Sequence, residues 1–387
     1  MTIKRYTANK DNTITNAFKD NLATRATGSN MGESDVLEVF SIYGRSTTTS
    51  REKARILVEF PIDKIRLDRA SGVIPASGSV MFYLRLSNAR HSSTTPSLVG
   101  LQVRQISGSW NEGTGLDMET YRDHGVSNWV ERQTGDSWET AGGDLVPLSR
   151  PAKVRNFNVT GSDDIEVEVS WMVEEWLSTN SSPTPPAAPQ VINNGFLISL
   201  QSDYENANRS YYTKKFFARG SENFFKRPTL EARWNSSSQD SSALPDPYVK
   251  ADEYIFNITN LKSSYKAYEK TTFKVHTRKK DWQPNIYTVA SNQAPLDLVD
   301  EVYYKITRVS DNYKVVGYST ASLPTDISHG HTTPAYSKLS YNSAGSFFDF
   351  DMSNLEPNYL YEISFLRRGN GLDYIEQKEK FKFRVNP

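Results

Sequence analysis

Apolar residues recur at every second position through most of the chain. In "ARILVEFPI", Ile56, Val58 and Phe60 fall on one side of an extended chain, and Arg55, Leu57 and Glu59 on the other. "SVMFYLRLS" groups Val80, Phe82, Leu84 and Leu86, "LVGLQVRQ" groups Val99, Leu101 and Val103, and "DIEVEVS" groups Ile165, Val167 and Val169. "GFLISL" and "PTLEARW" continue the series. Successive side chains of a strand point to opposite faces, so this period predicts half-buried strands. Short strands joined by Gly, Ser, Asn and Pro predict an all-β, antiparallel sandwich. One stretch changes period. "SWMVEEWLST" sets Met172, Val173, Trp176 and Leu177 on one helical face, with Ser170 as the expected N-cap. It predicts one short helix closing the core, with Trp176 inside.

The polar, Pro-punctuated tract "NSSSQDSSALPDP" (235–247) reads as a linker. It divides the chain into a sandwich over residues 1–235, a linker over 236–247 and a second sandwich over 248–387. In the second part "NLEPNYLYEISF" spaces Leu355, Pro357 and Tyr361 as Leu-x-Pro-x-x-x-Tyr. That spacing resembles the tyrosine corner of fibronectin III and immunoglobulin-like sandwiches, where a buried hydroxyl bonds back to the turn. Tyr361 is therefore expected in the core. Another tract, "TNSSPTPPAAPQV" (179–191), reads as a stiff surface loop.

Composition narrows the function. With 45 basic and 45 acidic residues the formal charge is zero, which removes the electrostatic case for nucleic acid or for an anionic membrane. The absence of cysteine excludes disulfides, thiolate chemistry and Cys-type zinc sites. No run of eighteen apolar residues occurs, so membrane insertion is not expected. The opening "MTIKRYTANKDNTITNAF" has no apolar stretch of signal-peptide length, and synthesis and assembly in the cytosol are expected.

Candidate chemistry centres on "ISGSWNEGTG" (106–115), where a strand runs into a tryptophan set between serine and Asn-Glu-Gly. Trp110 reads either as a core plug that staples the following loop or as a sugar-stacking platform. Glu112 as a general acid needs a second carboxylate across a cleft. Asp117, Glu119, Asp123, Asp136 and Glu139 follow, but their spacing selects no pair. Tyr121, Trp129 and Trp138 sit in loop-like segments and are stronger platform candidates, since aromatic faces stack on other planar or C–H surfaces, but the reading that comes first for them is to cover the sandwich or pack against another subunit. Phe224 and Phe225 join them as candidate docking anchors. His329 and His331 in "SHGHTTP" lack a third metal ligand, and "TGSDDIE" reads as a charged turn before it reads as a calcium loop through Asp163 and Asp164. No metal or cofactor is expected.

The order of "ARILVEFPI" with Ile65, "SWNEG", "VSWMVEEWL", "NGFLIS" and "RPTLEARW" resembles the DNRLRE-type β-sandwich, a module similar to carbohydrate-binding modules, over residues 5–235. "GTGLDMETYRDHGVSNWV", "SWETAGGD" and "KKFFARGSENFFKRPTLEARW" look most like its form in virion structural proteins of tailed bacteriophages. The resemblance implies a jelly-roll-like N-terminal sandwich and, with the tyrosine corner, an immunoglobulin/fibronectin III-like second one. It implies a non-enzymatic structural or adaptor subunit of the tail, neck, baseplate or capsid surface, located in the virion. Its partners would be other virion proteins and further copies of itself in a symmetric assembly. The alternatives are a carbohydrate-binding protein that contacts host glycans and a polysaccharide-degrading enzyme.

Overall fold

The computed structural model describes residues 2–90, 98–118, 126–147, 154–178, 191–240, 254–285, 296–320, 324–326, 331–332, 334–368 and 374–387. The first part of the chain forms β1 (Ile3–Thr7), β2 (Lys10–Thr15), β3 (Val36–Tyr43), β4 (Arg51–Glu59), α1 (Ile62–Ala70), β5 (Met81–Leu86), β6 (Val99–Gln105), β7 (Glu131–Gln133), β8 (Asp136–Ser137), β9 (Val154–Val159), β10 (Ile165–Glu168), α2 (Ser170–Ser178), β11 (Phe196–Leu200), α3 (Ser202–Glu205), β12 (Tyr211–Phe217) and β13 (Thr229–Arg233). The rest forms β14 (Tyr254–Ile258), β15 (Ser264–Lys266), β16 (Lys270–Lys279), β17 (Val302–Arg308), β18 (Tyr313–Val316), β19 (Pro324–Asp326), β20 (His331–Thr332), β21 (Ser340–Asn342), β22 (Gly345–Asp351), β23 (Leu360–Arg368), β24 (Tyr374–Glu376) and β25 (Phe381–Asn386). The chain is all-β in class and divides into two units. One comprises Arg5–Ser77 and Phe82–Ala232, the other Met1–Lys4, Gly78–Met81 and Arg233–Pro387.

The N-terminal unit pairs a four-stranded sheet, β1-β13-β5-β10, with a seven-stranded one, β12-β3-β4-β11-β6-β9, to which β2 adds along β4. Registers follow the alternation. Ile56 lies opposite Ile198 and Val58 opposite Phe196, so these residues share a face with Phe60. Trp176 of α2 packs on that face against Phe196, with ring centroids 4.7 Å apart. In α2 the buried residues are Met172, Val173, Trp176 and Leu177, as their spacing predicts.

Three expectations need correction. Ser170 is not an N-cap: its hydroxyl accepts the Phe82 N–H, and its own N–H goes to Glu168 Oε1. Nor is α2 alone, because α1 and α3 are also present; α1 buries only Ile62 and Ile65, too few to show a stripe. And β4 is not half-buried, since Ile56, Leu57 and Val58 are all fully buried. Its second face is covered too.

The C-terminal unit packs sheet β14-β16-β22-β21 against sheet β15-β25-β23-β17-β18, with β24 alongside β23. The β15–β25 pairing is parallel and β16–β22 and β17–β23 are antiparallel, an order that matches an immunoglobulin-type sandwich. Aromatic stacking joins the layers: Phe348 of β22 lies 4.1 Å from Tyr304 of β17 and 5.0 Å from Phe273, centroid to centroid. Tyr361 is fully buried and donates its hydroxyl to the Glu356 carbonyl at 2.8 Å, closing the corner its spacing implied. Part of the expected linker is tied down: Tyr341 N–H donates to Ser238 O at 3.0 Å, and Gln239 bridges Tyr341 in parallel. Residues 241–247 and the Pro-rich loop 182–190 lie outside the described residues.

Candidate functional site

The tryptophan turn sits on the second face of the large sheet. Leu57 of β4 and Leu197 of β11, opposite each other in register, point away from the face that carries Ile56 and Phe196. They form an apolar cluster with Ile14, Ile106, Trp110, Trp129 and Trp138. Three indoles therefore roof a sheet face that would otherwise expose leucines to water. Trp110 is 1% exposed, and its Nε1 donates to the Asn194 carbonyl at 2.8 Å. Trp138 donates to the Asn128 carbonyl at 2.9 Å. The Arg55 guanidinium lies 5.2 Å from the Trp129 ring centroid and pairs with Glu205.

Of the two readings of Trp129 and Trp138, the structure takes the covering one and not the platform. At 7% and 4% exposure their faces are used inside the cluster and offer no open surface for a sugar. Tyr121, Glu119 and Asp123 lie outside the described residues. Phe224 and Phe225 form an edge-to-face pair 5.2 Å apart on a short 3₁₀ turn, and both are half-buried. Of the named platform and docking candidates that are described, they are the two still partly open.

Glu112 is bound into a part-buried polar junction. One carboxylate oxygen accepts the Asp11 backbone N–H and Arg219 Nε, each at 2.7 Å, and the other pairs with Arg219 Nη2. Asp11 Oδ2 accepts the Arg219 backbone N–H at 2.6 Å. Asp11 is fully buried, and its Oδ1 has no hydrogen-bond partner among the described residues. Burial pushes the Asp11 carboxyl up to about 7, and the Glu112 charge adds to this while the Arg219 backbone bond and charge oppose it. The Arg219 guanidinium is held above its ordinary range by its bond to Glu112. So Glu112 does have a second carboxylate beside it, which spacing along the chain did not reveal. The two share one arginine and are not set across a cleft, so the arrangement braces β2 and the 217–221 segment against the turn.

A second knot explains the glycines after Glu112. Asn30 Oδ1 accepts the N–H groups of Gly32 and Gly115, and its Nδ2 donates to Ser127 O. Asn12 Nδ2 also reaches Ser127 O, while its Oδ1 takes the Met31 N–H. A Cβ at Gly113 would overlap the Asn30 side chain, and one at Gly115 the Asn30 carbonyl. Both positions are glycine because the asparagine needs the space.

Three more of the candidate carboxylates are engaged, whereas Glu139 is exposed. Asp136 pairs with Arg132. Asp163 accepts the Thr160 N–H at 3.0 Å, and Asp164 accepts the Asn88 N–H at 2.6 Å. The Lys214 ammonium beside them donates to the Gly161 and Asp163 backbone carbonyls. Among the described residues no group of three or more His, Cys, Asp or Glu could hold a metal ion. His329 lies outside them. Among the described residues, too, no helix is long and apolar enough to cross a membrane. No protein-family model matches the chain, and no curated protein matches it. The likeness to the DNRLRE-type sandwich thus rests on the motifs quoted above.

Proposed function

We propose that the protein is a non-enzymatic structural or adaptor subunit of a tailed-bacteriophage particle that works through protein–protein docking. One observation carries the non-catalytic part of this reading. Glu112, the carboxylate at the most distinctive motif, is held by three N–H donors and spent on internal bracing. The roofing tryptophans are likewise consumed by the fold. What the two sandwiches leave for partners is their loops, including the half-buried Phe224–Phe225 pair. Strand addition at β14 is disfavoured, because the Gln377 amide already pairs with both backbone groups of Phe256, at 2.7 and 2.9 Å. The virion setting is supported by the sequence resemblance.

Cross-linking mass spectrometry on purified particles tests the reading. The expected result is this chain at fixed stoichiometry, cross-linked to other virion proteins and to its own copies, with contacts of at least about 1,000 Å². A chain absent from particles and retained on host polysaccharide would replace this reading with the carbohydrate-binding one.

A further inference from the structure

Among the described residues, Lys214 is the most deeply placed lysine that the bracing networks do not use. It lies on β12 and is 2% exposed. Its Nζ donates to Asn88 Oδ1 at 2.6 Å, to Asp163 O at 2.7 Å and to Gly161 O at 2.9 Å. Asn88 follows β5 in the four-stranded sheet and forms an isolated bridge with Phe216 on β12 of the seven-stranded one. Lys214 and Phe216 share a strand face, and Nζ sits 5.3 Å from the Phe216 ring centroid. Register therefore fixes the amine against the amide and an aromatic ring limits water there. The Asn88 carbonyl carbon is one C=O bond, about 1.23 Å, beyond an oxygen already in contact. That approaches the separation of reacting atoms in a near-attack arrangement.

We propose that Lys214 and Asn88 form an intramolecular isopeptide bond that links the two sheets of the N-terminal sandwich. The Lys214 Nζ lone pair attacks Asn88 Cγ, the new N–C bond forms and the Cγ–Nδ2 bond breaks. Nδ2 leaves as ammonia, taking the proton that the attacking nitrogen gives up. No atom changes oxidation state and no co-reactant is needed. Asp164, whose Oδ1 holds the Asn88 N–H, and the adjacent Asp163 are the nearby carboxylates able to relay that proton. Burial also pushes the Lys214 ammonium down to about 8, against the pull of Asp163 and Asp164, so the attacking free amine is reached at mildly alkaline pH. In a chain with no cysteine, such a bond supplies a covalent tie that reducing cytoplasm cannot open.

Intact-mass spectrometry of the full-length chain decides the matter. The expected mass is lower than the sequence mass by one ammonia, and proteolysis should yield a branched peptide joining residues 88 and 214. Lys214→Arg and Asn88→Ala should each restore the full mass. A wild-type chain that keeps its full sequence mass after prolonged incubation at mildly alkaline pH overturns the proposal and leaves Lys214 as a buried structural cation. Ammonia loss that persists in Lys214→Arg also overturns it, because an asparagine would then be cyclising on its own backbone.

Discussion

Asp11 is the residue whose charge state should govern the stability of the tryptophan turn. Its carboxyl is held at about 7 in the folded chain against 3.8 in the unfolded one, with burial as the main cause. A raised carboxyl pKa means that the folded state keeps its proton to higher pH than the unfolded state does. The group is then neutral in both states below about pH 3.8, and folding suffers no penalty from it. As pH climbs from 3.8 to about 7 the unfolded chain ionises freely while the folded chain resists, so stability falls. Above about 7 both are ionised and the penalty is constant. Each pKa unit is worth ~1.4 kcal/mol, so the full penalty is on the order of 4 kcal/mol. Asp11→Asn imitates the protonated acid: its amide oxygen can still accept the Arg219 N–H, and no charge is buried. The variant should be more stable than wild type at pH 8, and the difference should shrink steadily towards pH 4. Urea denaturation of both proteins at unit pH steps measures this directly. Parallel pH profiles for the two proteins would refute the reasoning, because they would mean that Arg219 neutralises the buried carboxylate at no net cost.

Other outcomes follow from the same geometry. Trp110→Ala removes an indole that roofs Leu57 and Leu197 and should cost ~3–5 kcal/mol in chemical denaturation. Glu112→Gln leaves Arg219 without its ion partner and should cost about 1–3 kcal/mol, with no other activity lost. Gly115→Ala drives a methyl into the Asn30 carbonyl, and a loss of at least ~1–3 kcal/mol should appear as a lower melting temperature. Tyr361→Phe deletes one buried hydrogen bond in the second sandwich, and denaturation should report a loss of only ~0.5–1.5 kcal/mol.

The strands were legible because alternation is local. Ile56, Val58 and Phe60 announce a face whatever lies across from them. The second face of the same strand was not legible. Leu57 and Leu197 interrupt the polar side, yet nothing in their neighbourhood says that three indoles from residues 110–138 will cover them. A leucine on an expected polar face is the one signal that was present. Strand β2 hid for the opposite reason: "KDNTIT" has no apolar alternation to announce it, yet Asp11, Asn12 and Thr13 are fully buried. Asp11 Oδ2, Asn12 Nδ2 and Thr13 Oγ1 find their partners far along the chain, at Arg219, Ser127 and Glu38, and composition carries no record of that.

The same distance separates the turn from its explanation. Glu112 meets the Asp11 N–H across 101 positions and Arg219 across 107. A short motif shows which residue types are gathered but not what they face, and a carboxylate beside a tryptophan looks alike in an active site and in a brace. Burial and donor count separate the two. A general acid needs one side open to substrate, whereas three N–H donors already occupy Glu112. Trp110 sits between serine and Asn-Glu-Gly because each neighbour has a structural duty. The indole roofs the sheet, the glutamate ties in β2 and Arg219, and the glycines make room for Asn30. A turn so fully committed to holding its own unit together leaves the proposed docking role to residues outside it, and under that proposal the half-open Phe224–Phe225 pair is where substitution should alter docking without unfolding the chain.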